Sequence, residues 1–250
     1  MDEKSFTTII GKSSADVLAF YDQYASSWDR RFGDVPSVQN FHMDRLRHFL
    51  NIARLNSTET AVEVGVGTGP YLEEIAPLVK QLICVDGSME MLRVLQEKHG
   101  HLATISVRQM DLDWPLKSMD IQADIVYSFG LIEHILNPDQ LIENCARMLR
   151  TGGRMVFASS NGRCPWYGSL RYLFRPGKHI STDRHYHLSE LNMLMARYGF
   201  VPERVIYWGY YPPGVGRLLQ HAMQLVGKLI DLTPLRVYAG GYTVSYLPQR

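Results

Sequence analysis

The chain has 250 residues, 26 lysines and arginines against 25 aspartates and glutamates, and a net charge of +1 with histidines neutral. Apolar residues make up 46% and charged residues 20%. That balance excludes disordered and fibrous chains, and the near-zero charge excludes a protein held on nucleic acid by its overall field. Cysteines at 84, 145 and 164 are too scattered for a disulfide framework or a zinc site. The start, MDEKSFTTII, lacks the apolar core of a signal peptide, and charged and polar residues interrupt every 18-residue stretch. A cytoplasmic, reducing setting is expected.

Residues 14–31 carry Val17, Leu18, Tyr21, Tyr24, Ala25 and Trp28 at helical spacing, ended by Gly33 and Pro36. A second helix over about 40–54 precedes the turn-like Asn56-Ser57-Thr58. The period then changes. Strands over 60–64, 81–85, 102–109, 123–128 and 154–159 alternate with helices over 71–79, 88–99 and 131–149. Such alternation with short links predicts a parallel sheet covered on both faces, with right-handed crossovers. Residues 160–187 break the pattern. A helix over 188–198, strands over 201–208 and 241–247, and a helix over 215–232 follow. The two late strands suit an antiparallel edge. The expected fold is α/β, a doubly wound, mostly parallel seven-stranded sheet in one domain, 1–250. Within it, 1–56 forms an N-terminal helical lid, 57–159 a cofactor-binding core, 160–187 an acceptor-side insertion, and 188–250 the C-terminal helices and edge strands.

The segment Glu63-Val64-Gly65-Val66-Gly67-Thr68-Gly69-Pro70 leads from a strand through three glycines to a helix. Glycines allow the tight turn and the close approach of a ligand to backbone, and free N–H groups at a helix start favour an anionic group. Twenty-one residues after Gly65, Asp86 ends the next strand, where a carboxylate can accept both hydroxyls of a ribose. Together they read as an adenosine site. The dinucleotide pattern G-x-G-x-x-G fails at Pro70, and Glu63 would repel a pyrophosphate. An acid there suits a ligand bearing an ammonium or sulfonium.

This region resembles the class I S-adenosylmethionine-dependent methyltransferases, most closely the small-molecule group that includes the ubiquinone-pathway O-methyltransferase. Besides the glycine loop, six stretches carry the resemblance: Tyr21 to Asp29 (YDQYASSWD), Val85 to Met89 (VDGSM), Gln109 to Leu112 (QMDL), Asp124 to Gly130 (DIVYSFG), Leu131 to Pro138 (LIEHILNP) and Leu149 to Gly153 (LRTGG). They fall in the family's order and span roughly residues 18–200. The resemblance implies S-adenosylmethionine as cofactor and S-adenosylhomocysteine as product. It further implies that Glu63, Gly65 and Gly67 hold the methionine part and that Asp86 takes the ribose hydroxyls. Met89 would lie near the adenine face, Asp111 and the Leu112 backbone would bracket the adenine, and the Ser128 and Phe129 backbone would line the methionyl end. Tyr21 and Trp28 would close over the cofactor. Each position also has a bland reading: Asp111 as a turn acid, Met89 as helix core, Tyr21 and Trp28 as staples of the first helix.

Methyl transfer from a sulfonium is an in-line displacement, so positioning can supply about 7–11 kcal/mol of the acceleration. A base is needed only where the acceptor must lose a proton. His134, just past the fourth strand, is the candidate base, with helix capping as its alternative. Relatives carry an acid three positions before the equivalent of Glu133; here Gly130 stands there, so no metal is expected. His179, His185 and His187 form a second group that either roofs the acceptor or is merely polar loop.

Residues 144–182 contain no acid but seven cations, Arg147, Arg150, Arg154, Arg163, Arg171, Arg175 and Lys178, with aromatics among the last four. The helix over 215–232 has Val215, Leu218, Leu219, Ala222, Met223, Val226, Leu229 and Ile230 on one face and Arg217, Gln220, Gln224, Lys228 and Asp231 on the other. That apolar face either packs on the core or a partner subunit, as in a homodimer, or meets a membrane. Peripheral membrane contact through 163–178 or 215–232 is one reading; binding to nucleic acid is not expected. The expected activity is methyl transfer to oxygen of a small, partly apolar or lipid-like hydroxylated acceptor. N- or C-methylation and a non-catalytic cofactor-binding protein are the alternatives.

Overall fold

The computed structural model describes residues 12–30, 36–118, 120–167, 183–212 and 215–249, with the backbone of Thr8–Ile9 paired in parallel with His179–Ile180. The expected helix stop at Gly33, the basic–aromatic stretch 168–178 and the His179 side chain lie outside the described residues.

Seven strands form one sheet: β1 (Thr60–Val64), β2 (Gln81–Asp86), β3 (Ile105–Gln109), β4 (Ala123–Phe129), β5 (Leu149–Ser160), β6 (Phe200–Trp208) and β7 (Gly241–Pro248). Their order is β3-β2-β1-β4-β5-β7-β6. The first five run parallel, and β7 runs antiparallel to both of its neighbours. The two late strands thus form the expected antiparallel edge, with β7 inside and β6 outermost.

The helices are α1 (Ser14–Tyr24), α2 (Pro36–Ala53), α3 (Leu72–Ile75), α4 (Met89–His99), α5 (Pro138–Met148), α6 (Leu188–Arg197) and α7 (Arg217–Ile230). Three expected helices are shorter than their periodicity. The 14–31 helix passes into a 3-10 turn at Ala25–Ser27, and the 71–79 helix does so at Ala76–Leu78, where Pro77 interrupts it. The 131–149 helix is a correction. Ile132–His134 is a 3-10 turn, Ile135 is extended, and α5 starts afresh at Pro138. There Asn137 caps the Gln140 N–H through its side chain and Pro138 takes the first turn, which a continuous helix could not accommodate.

Alternation along the strands sorts the core. Val62, Val64, Val126 and Phe157 pack with α5 and α6, while Ala61, Leu82, Cys84 and Tyr127 pack with Phe49 and Ile52 of α2 and Leu92 and Leu95 of α4. The crossovers leave β1 in opposite senses toward β2 and β4, so a crevice opens at the carboxyl ends of β1 and β4. Arg154 of β5 braces the far end, donating to Glu59 at 2.7 Å and to the Ala53 carbonyl at 2.6 Å.

Candidate cofactor and acceptor site

A cavity of about 370 Å³ occupies that crevice. Gly65, Gly67, Asp86, Asp111 and Leu112 line one end of it. Gly65 and Gly67 have φ of 70° and 57°, a region that side-chain-bearing residues adopt only with strain. A Cβ on Gly65 would sit 2.6 Å from Leu131, whereas one on Gly67 would project into open space. The Gly67 position therefore leaves its backbone bare toward the cavity. Asp86 fixes this loop by accepting from the Gly67 N–H at 2.8 Å and the Ser88 N–H at 2.9 Å. Burial raises the Asp86 carboxyl above the usual carboxylate range, against the pull of these N–H donors.

Glu63 is 2% exposed and lines the same cavity. Its Oε2 accepts from the Tyr127 hydroxyl at 3.0 Å. Burial pushes the Glu63 carboxyl up to about 8; the Tyr127 donor opposes this and the Asp86 charge adds to it.

Tyr21 and Trp28 also line the cavity, in edge contact with ring centres 5.3 Å apart. Two acids beside them tie this lid down. Asp22 accepts from Ser88 Oγ at 2.5 Å and from the Glu90 N–H at 3.2 Å, both at the start of α4. Asp29 accepts from Thr68 Oγ1 at 2.6 Å and from Lys98 Nζ at 2.7 Å. Asp22 and Asp29 each stand one residue beyond the aromatics and belong to the same YDQYASSWD stretch, but no local pattern marks them as ties.

At the other end His134 lines the cavity, its Nδ1 2.8 Å from Asp183 Oδ1. Tyr21 packs edge-on against its ring at 5.3 Å. Beside it, Glu133 Oε1 accepts from the Ser160 N–H and hydroxyl, both at 2.7 Å, and Ser160 Oγ lies 2.6 Å from His185 Nδ1. Tyr167 stacks on the His185 ring at 4.7 Å. Of the three later histidines, His185 joins the cavity, while His187 begins α6 and donates its N–H to Glu190 at 2.8 Å. A third wall comes from α2: His42 Nδ1 lies 2.9 Å from the Tyr71 hydroxyl, with Arg45 beside them. Burial, and then the Arg45 charge, pull His42 down to about 3, so its ring is neutral. Burial carries the Tyr71 hydroxyl up to about 12.

Two expected residues are not brought to the cavity. Met89 is 55% exposed at the first position of α4; Met91, two residues on and so on the opposite side of the helix, lines the cavity with Met110. Ser128 is fully buried inside β4 and only Phe129 reaches the wall. His42, Arg45, Tyr71, Ser160, Tyr167, Asp183 and His185 were not read as site residues, apart from His185 within its loose group. Only their shared neighbourhood in space marks them. The basic stretch is also partly explained: Arg147 donates to the Leu116 carbonyl, Arg150 pairs with Asp124 and Arg154 with Glu59.

Comparison with known proteins decides the family. Residues 62–157 match the family model described as a methyltransferase domain. The chain is 28% identical over 209 residues to a malonyl-[acyl-carrier protein] O-methyltransferase of Marinomonas sp. strain MWYL1, covering 76% of each chain. It is 25% identical over 145 residues to a ubiquinone biosynthesis O-methyltransferase of Coxiella burnetii, 58% of this chain and 61% of that one. Its fold superposes with a TM-score of 0.63 on the structure described as the DhpI-SAM-HEP complex, at 19% identity over 95% of this chain and 99% of that one. The chain is a class I S-adenosylmethionine-dependent methyltransferase. Its cofactor is S-adenosylmethionine.

The residues of this methyltransferase fit that cofactor. The bare Gly67 backbone admits a ligand that a side chain would exclude. Asp86 stands at the strand end with a carboxylate for a diol. The buried Glu63 offers negative charge where a cationic ligand would stabilise it, and Arg45 forms no carboxylate ion pair among the described residues, which suits the anionic end of an amino acid. No helix among the described residues is long and apolar enough to cross a membrane.

Proposed function

We propose that the enzyme transfers the methyl group to an oxygen of a small, partly apolar hydroxylated acceptor. The bound cofactor supplies an electrophilic methyl on a sulfonium. Glu63, Gly65 and Gly67 hold the methionyl part, Asp86 the ribose hydroxyls, and Asp111 with the Leu112 backbone the adenine. Met91 and Met110 supply the apolar contact that the resemblance places at Met89. Tyr21 and Trp28 exclude water from above.

The observation that carries the acceptor reading is the pairing of His134 with Asp183 at the cavity wall, 2.8 Å apart. A carboxylate at Nδ1 fixes the tautomer that donates from Nδ1 and leaves Nε2 as the basic nitrogen. The proton of a hydroxyl acceptor passes to Nε2 as the oxygen attacks. Glu133, Ser160 and His185 form a neighbouring hydrogen-bonded chain that orients the acceptor. Apolar lining from Leu131, Ile135 and Phe129 suits an acceptor with hydrocarbon or ring character.

A panel of phenols, aliphatic alcohols, carboxylates and amines, with product read by mass spectrometry, tests this. O-methylated product from a hydroxylated acceptor is expected, with turnover lost in His134→Ala. Methylated amine as the sole product, formed equally well by His134→Ala, overturns it.

A further inference from the structure

We propose that α7 seats this methyltransferase on an anionic lipid bilayer, with the helix lying along the surface and its leucines in the acyl region. The inference does not rest on the acceptor reading.

The helix is amphipathic, yet the face it turns to the protein is the strip of Gln220, Met223 and Gly227, not the leucines. Gln220 is completely buried, and Gly227 is so close to Tyr210 that a Cβ there would lie 2.6 Å from that ring. Met223 packs on Phe41, Trp208 and Tyr211. These contacts key one face of α7 inward and prevent it from rolling to hide the other. The outward face carries Leu218, Leu219, Leu225, Val226, Leu229 and, just past the helix end, Leu232. Leu218 is 90% exposed, Leu232 85% and Leu229 68%. Positions 218, 222, 225, 229 and 232 recur every three or four residues, so they form one continuous apolar stripe. An exposed apolar stripe of this kind marks a surface that meets something apolar.

Charge selects the occupant. Residues 205–249 hold three cations, Arg217, Lys228 and Arg236, and a single acid, Asp231, which accepts a hydrogen bond from the Tyr210 hydroxyl. Arg217 and Lys228 lie eleven residues apart, three turns, along one edge of the leucine stripe, and Arg236 is exposed in the turn after it. Leucines flanked by three cations against one acid complement an anionic headgroup layer over hydrocarbon. A second copy of this chain would bring the same cations together across a twofold contact. The stripe is joined to the active site through α2, which offers Phe41 to α7 and, one and four residues on, His42 and Arg45 to the cavity.

The test uses the full chain and sedimentation with vesicles of phosphatidylcholine containing phosphatidylglycerol, against pure phosphatidylcholine. Wild type should pellet with the anionic vesicles and be released by high salt. A variant with Leu218→Ser, Leu225→Ser, Leu229→Ser and Leu232→Ser should lose about tenfold or more of this partitioning. A variant with Arg217→Gln, Lys228→Gln and Arg236→Gln should lose the preference for anionic lipid. Both should keep the thermal shift given by S-adenosylmethionine, which reports an intact fold. Sedimentation no greater with anionic vesicles than without overturns the proposal. So does a wild-type dimer in analytical ultracentrifugation that the leucine variant dissolves, since the stripe would then be covered by a second copy.

Discussion

At the end of the cavity proposed for the cofactor, the lining groups come from strand ends and the residues directly after them: Glu63 to Gly67 at the end of β1, Asp86 at the end of β2, and Met110 to Leu112 after β3. At the acceptor end, His134, Tyr167, Asp183 and His185 come from three separate turns and loops, Ser160 from the last position of β5, and Arg45 and His42 from a helix that precedes the sheet. The first end is held by backbone, as in the two N–H groups fixed by Asp86. The second is held by side chains pairing with side chains across 25 to 49 residues of sequence. Backbone geometry is common to many sequences, so the cofactor end is generic. Side-chain pairing can be redrawn by a single substitution, so the acceptor end is where specificity resides.

If the two ends are separate in this way, substitutions should divide cleanly between turnover and cofactor affinity. His134→Ala should lower kcat by about 10²–10⁴-fold, the usual contribution of a positioned base, with S-adenosylmethionine affinity unchanged by calorimetry. An equal loss of both would merge the ends. Asp86→Ala removes a charged acceptor from the loop and the ribose site, and should weaken S-adenosylmethionine by about 10–100-fold in the same titration. It should leave kcat at saturating cofactor nearly intact.

Glu63 gives a third, pH-dependent discrimination. Its folded value near 8 lies above the 4.5 of an unperturbed glutamate, so the folded apo protein holds an extra proton between those values. That term makes apo stability fall as pH rises through this window. A cationic ligand favours the ionised carboxylate, so binding below pH 8 releases the proton. S-adenosylmethionine affinity should therefore rise from pH 6 to 8, by up to about tenfold per unit, and Glu63→Gln should flatten the profile. The smallest effect is expected at the lid. Asp22→Ala removes two hydrogen bonds, to Ser88 and Glu90, and should speed cofactor release about fivefold in stopped flow, the low end of their net worth.

The same division explains what could be read from the residues alone. All seven strands, the glycine loop and Asp86 are visible in sequence because each is a local pattern tied to backbone conformation. A methionine after the ribose acid fits the family's pattern at Met89, while the helical turn carries Met91 to the cavity. Pro138 and the Asn137 cap were legible as a helix start, but the apolar run through Leu131 and Ile132 extended the expected helix past them. For α7, amphipathicity revealed two faces without saying which is inward. The fit of Gly227 against Tyr210 decided that, and it is a contact between residues 17 apart that no periodicity encodes. Asp183 and Arg45 carry no motif at all; only the fold brings them to His134 and Tyr71.

The place of β7 in the sheet has a consequence for how the molecule is made. It pairs with β5 from Met155 to Ser160 and with β6 from Phe200 to Trp208. Until residues 241–248 leave the ribosome, β5 has one bare edge and β6 has no neighbour in the main sheet. The parallel half can assemble early during synthesis, whereas the half that backs Ser160 waits for the closing strand. A nascent chain stopped before residue 241 would leave one edge of β5 and both edges of β6 unpaired, a template for mispairing with other chains, and is the stage at which a chaperone has most to protect.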